Sequence, residues 1–156
     1  MLPVFFIAIL SSILQLTALT YARIGPFTFN LELIVLVFFS LRYGLRLGII
    51  LGLFFGILNG IFSINSFWLN VFLYAAVGSI VGYLGQWFYK ENLLAFLLMI
   101  FCSLAVIYFL SYFLETPHLT TQSNFLAYFF RLFLPSAAYN AVVSIFLFYF
   151  LRELKV

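Results

Sequence analysis

Imidazole, thiol and carboxylate groups are scarce in this chain and lie far apart. They are His118, Cys102 and four glutamates, Glu32, Glu91, Glu115 and Glu153; there is no aspartate. A zinc-protease helix needs two histidines one turn apart, and a Ser-His-Asp set needs an acid to orient its imidazole. A phosphatidyl-transferring enzyme needs clustered acidic metal ligands, and a glycosidase needs a carboxylate dyad. None of these sets can be assembled from the residues present. The sequence therefore predicts no catalytic site, no metal site and no cofactor. His118 sits in a Thr-rich stretch beside Pro117 and reads as a loop residue. Cys102, the only cysteine, lies inside an apolar run, so it has no partner for an internal disulfide.

The remaining polar chemistry is of another kind, because it is set in an apolar background. Of 156 residues, 67% are hydrophobic and 7% charged, against roughly half and a quarter in a soluble domain. Such a chain cannot cover a globule with polar surface, and it is expected to be a single all-α bundle in a lipid bilayer. The net charge of +3 comes from scattered basic residues, which suit loops at an anionic membrane surface and not a nucleic-acid interface. The 23 phenylalanines read as lipid-facing and interhelical filling, with Trp87 and Tyr89 at interfaces.

Six membrane spans are predicted, over about 2–20, 27–41, 47–62, 67–87, 93–114 and 135–151. The first lacks a basic n-region and a clear cleavage site, so it reads as a retained helix. An interfacial helix over 125–133 is expected before the last span, with Pro135 in that span's first turn and Arg131 at the interface. The alternative is one long helix kinked at the proline. Arg42, Arg46, Lys90, Arg152 and Lys155 then share one side, which places both termini in the cytoplasm.

Within these spans two features stand out. Gly44, Gly48, Gly52, Gly56 and Gly60 recur at every fourth position, and Gly78 and Gly82 repeat the spacing in the next span. Glycines four apart share a helix face and let another helix approach closely. The neighbour is either a helix of the same chain or a partner's transmembrane helix. The other feature is polarity inside the membrane. Glu32 is read as a capping carboxylate at a helix start, as a partner for Arg23 or Arg131, or as a proton acceptor in a transport cycle. Asn59, Asn70 and Asn140 are read as interhelical hydrogen-bonding residues.

Three stretches resemble the bacterial rod shape-determining protein MreD family. They are FNLELIVLVFFSLRYGLRLGIILGLFFGILNGIFS (29–63), LYAAVGSIVGYLGQWFYKEN (73–92) and LPSAAYNAVVSIFLFYFLREL (134–154), about two thirds of the chain. Two positions depart from the family's pattern: Asn59 where an acid is common, and Glu32 where Asp or Asn is common. The resemblance implies an inner-membrane scaffold of the cell-elongation machinery. Its implied partners are MreC and, through it, MreB filaments and peptidoglycan synthases. It also implies a fold similar to the substrate-binding subunits of energy-coupling-factor vitamin transporters. Such a subunit is the alternative function, and it would need a pocket of polar loop residues. The loop over 63–66 and the one between the first two spans are short for that.

Overall fold

The computed structural model describes residues 2–17, 30–62, 67–87, 92–115 and 129–153. They form six α-helices: α1 (Leu2–Leu16), α2 (Leu31–Tyr43), α3 (Leu45–Phe62), α4 (Phe67–Leu84), α5 (Leu93–Glu115) and α6 (Leu134–Glu153). One π-helical turn, Phe129–Phe133, runs directly into α6. No strand occurs among the described residues. Four helical segments are long and apolar enough to cross a membrane: Leu45–Phe62, Phe67–Leu84, Leu93–Leu110 and Phe130–Glu153. α1 and α2, at 15 and 13 residues, are shorter than the roughly 20 residues a full crossing takes.

α2 is the centre of the bundle. Every residue from Leu31 to Leu41 is buried, so the helix has no solvent- or lipid-facing stripe. A helix apolar on all sides needs neighbours on all sides, and α1, α3, α4, α5 and α6 supply them. Phe38 packs edge-on against Phe96 of α5 and Phe148 of α6, at centroid distances of 5.9 and 6.1 Å. The outward faces of the surrounding helices expose large apolar residues such as Phe72, Leu98 and Phe146.

Gly44 both ends α2 and starts α3. Its N–H donates to the Ser40 carbonyl at 2.9 Å, and its own carbonyl accepts from Gly48 N–H at 3.1 Å. At φ 82° and ψ −167° its backbone lies in a region essentially restricted to glycine. Its glycine identity thus answers to conformation, since a Cβ there would meet only the Gly82 carbonyl, at an ordinary 3.9 Å.

The other ladder glycines answer to space. Each step of four along α3 meets a step of three or four back along antiparallel α4. Gly48 lies on Gly78, Gly52 on Tyr74 and Ala75, Gly56 on Asn70 and Val71, and Gly60 on Phe67. Gly48 and Gly78 abut reciprocally, so a methyl on either would strike the other's carbonyl oxygen. A methyl on Gly56 would stand 2.7 Å from Val71 Cα, and one on Gly82 would stand 2.8 Å from Leu45 Cα. Even alanine is too large where the obstacle is backbone.

Pro135 is the second residue of α6. A helical proline clashes with the carbonyl four residues earlier, here that of Arg131, and Arg131 lies in the wider π turn. That turn passes into α6 without a gap. Residues 125–128 of the expected interfacial helix lie outside the described residues, as does His118.

Gly48→Ala and Gly52→Leu are therefore expected to destabilise the protein in mild detergent, by about 1–3 kcal/mol each. Ile57→Ala, on the exposed face of α3, should stay within about 0.5 kcal/mol of wild type. Thermal unfolding measures all three. A Gly52→Leu protein that melts with wild type rules out the packing role.

Candidate functional site

The polar residues of this membrane bundle converge on the N-terminal end of α2. That end is buried, and its first N–H groups have no preceding turn to bond to. Neighbouring side chains satisfy them. Asn30, the N-cap, accepts from Leu33 N–H through Oδ1 at 2.9 Å, and its carbonyl accepts from Ile34 N–H at 3.3 Å. The Asn30 N–H donates to Asn140 Oδ1 of α6 at 3.0 Å, and Leu31 N–H donates to Gln15 Oε1 of α1 at 2.8 Å. The Asn30 side-chain amide in turn donates to the Tyr74 hydroxyl of α4 at 2.6 Å.

Glu32 stands in the first turn of α2 and is 1% exposed. Its carboxylate accepts from Asn59 Nδ2 of α3, while the Ser12 hydroxyl of α1 donates to the Ala8 carbonyl of its own helix at 3.1 Å. Asn59 Nδ2 bonds as well to the Phe55 carbonyl at 2.9 Å, which holds the amide along its own helix. A second branch leads away through α6. Asn140 Nδ2 donates to the Ser136 carbonyl at 2.8 Å, the Ser144 hydroxyl donates to the Asn140 carbonyl at 2.5 Å, and the Tyr108 hydroxyl of α5 donates to Ser136 Oγ at 2.9 Å. Every helix of the bundle contributes to this network.

Helix rise gives its depth. Glu32 precedes Arg42 by ten residues, or about 15 Å along α2. Asn59 follows Arg46 by thirteen residues, or about 20 Å along α3. The network therefore lies about 15–20 Å along the helices from the end that carries these arginines.

The structure brings Glu32, Asn59 and Asn140 together. Arg131 is exposed on the π turn, and Arg23 lies outside the described residues. Asn70 is half-buried on α4, with its backbone carbonyl against Gly56. Cys102 is exposed on α5, and the described residues contain no group of three His, Cys, Asp or Glu able to hold a metal ion. Sequence reasoning passed over Gln15, Asn30, Tyr74, Tyr108 and Ser136. Only Asn30 carries a readable signal, an Asn directly ahead of an apolar run. Chemically the network has hydrogen-bond donors matched to acceptors and no nucleophile placed beside a base. Its evident capacity is to fix helices against one another inside lipid.

A family model described as rod shape-determining protein MreD matches residues 1–155. No curated protein and no solved structure matches the chain.

The Glu32–Asn59 contact is open to a double-mutant cycle. Asn59→Leu leaves a buried carboxylate short of a donor and is expected to cost about 3 kcal/mol. Removing both partners in Glu32→Leu/Asn59→Leu should cost less than the sum of the single changes, with a coupling of about 0.5–3 kcal/mol. Additive losses in detergent unfolding show that Asn59 does not hold the carboxylate.

Proposed function

We propose, since this chain belongs to the MreD family of rod shape-determining proteins, that it acts in rod-shape determination as an inner-membrane scaffold without catalytic activity. The observation that carries this reading is the family match over residues 1–155. Its partner in the membrane is MreC, and through MreC it helps organise MreB filaments and peptidoglycan synthases. Internal rigidity supports a scaffold: the α3 glycine face is filled by α4 of the same chain, and the polar groups near α2 bond to one another. A partner helix would then dock on the apolar perimeter and not in the glycine groove.

The reading includes six crossings with both termini in the cytoplasm. α1 and α2 are the short ones. A short buried helix is tolerated within a membrane when its neighbours satisfy its terminal N–H groups. The basic residues Arg42, Arg46, Lys90, Arg152 and Lys155 then lie inside.

Purification of the tagged protein in a gentle detergent is expected to recover MreC, identified by mass spectrometry. Recovery of a pair of ATPases in its place overturns the scaffold reading in favour of a transporter subunit. Topology has its own test, in a Cys102→Ser background with single cysteines at Thr120 and Lys155. An impermeant thiol reagent should label the two positions from opposite sides of the membrane, and labelling from one side refutes the six-span arrangement.

A further inference from the structure

Holding helices together does not require an acid, and Glu32 is the only acid found buried among the described residues. A charge enclosed in an apolar bundle is ordinarily paired with a cation. None of the arginines described, Arg42, Arg46, Arg131 and Arg152, pairs with Glu32. The groups that act on it are Asn59 of α3, Ser12 of α1 and Tyr74 of α4. Among the described residues α5 and α6 add no charged or titratable side chain to that set.

The hydrogens these neighbours can offer are few. Asn59 has two on its amide, of which one goes to Glu32 and the other to the Phe55 carbonyl at 2.9 Å. Ser12 has one, and it goes to the Ala8 carbonyl at 3.1 Å. Ser12 can therefore serve Glu32 only as an acceptor. The Tyr74 hydroxyl accepts from Asn30 at 2.6 Å and makes no hydrogen bond to Glu32. An ionised carboxylate has about four acceptor positions and no donor, and here it meets one donor and one spare acceptor. A carboxylic acid matches that set, with one oxygen accepting from Asn59 and the other carrying a hydrogen towards Ser12 Oγ.

We propose that Glu32 is a proton-binding site, at which an exchangeable proton links α2 to α1 through Ser12. With the proton bound, the carboxyl O–H donates to Ser12 Oγ, and Ser12 keeps its bond to Ala8. When the proton leaves for water, a carboxylate oxygen faces the lone pairs of Ser12 Oγ and the contact turns repulsive. The Asn59 bond persists in both states. Proton occupancy thereby governs the docking of α1, whose neighbours are α2 and α3.

Infrared spectroscopy of the full-length protein in phosphatidylcholine vesicles tests the proposal. The chain has four side-chain carboxyls, all glutamates, and glutamates in water are ionised near neutral pH. Wild type is expected to show an un-ionised carboxyl band at that pH, moving to lower frequency in D2O and lost in Glu32→Gln. Should Glu32→Gln fail to fold, Glu91→Gln/Glu115→Gln/Glu153→Gln leaves Glu32 as the single side-chain carboxyl, and the band should persist undiminished. Ser12→Ala should shift the band, whereas Ser11→Ala, whose hydroxyl also bonds to Ala8, should leave it in place. Absence of the band in wild type overturns the proposal. So does its survival in folded Glu32→Gln, or its loss from the folded triple variant. A band unmoved by Ser12→Ala overturns the link to α1.

Discussion

A helix enclosed by other helices in lipid cannot give its first backbone N–H groups to water, and the end of this bundle around the start of α2 is arranged around that constraint. The beginning of α2 takes its acceptors from Asn140, Gln15 and its own N-cap Asn30. Those bonds fix the position of α1 and α6 relative to α2, and Tyr74 and Asn59 tie in α4 and α3. In hydrocarbon an unmet backbone N–H costs several kcal/mol. The helices thus meet where their amides can serve α2, and apolar packing fills in below.

The α3–α4 pair obeys a different rule. Apolar side chains gain little by leaving lipid for each other, so association there depends on close contact between surfaces. Gly48 against Gly78 brings the two backbones together, and Gly52, Gly56 and Gly82 extend the contact along most of both helices. Ser40 of α2 sits where this pair meets the central helix. It is fully buried, and its hydroxyl lacks a hydrogen-bond partner among the described residues. A methyl on Gly48 would approach that hydroxyl to 2.9 Å, so Ser40 is best accounted for by its small size.

Some of this was legible in the residues and some was not. The glycine spacing matches the helix repeat, so a close-packed face could be read from it. Which helix fills that face could not, since any helix satisfies the same pattern. Glu32 stood out as an acid in an apolar run. Its partner Asn59 lies 27 residues away on another helix, and no local pattern encodes such a pairing. The second helix was expected from about 27 and begins at Leu31, because Asn30 caps it and apolar content alone does not mark a cap. Gln15 and Tyr74 carry no signal, being residue types that also occur as ordinary interfacial side chains. Gly44 belonged to the regular series by spacing, yet its φ of 82° gives it a separate reason to be glycine.

The Asn30–Asn140 bond also bears on how the protein is made. Asn140 lies in α6, 110 residues after the N–H it serves. α3 and α4 can associate as soon as both have entered the bilayer, because their contacts are local in the chain. The start of α2 must wait, with one backbone donor unmatched, until α6 arrives. Until α6 arrives the central helix is incomplete, and a chain truncated before α6 leaves a buried backbone donor unmatched.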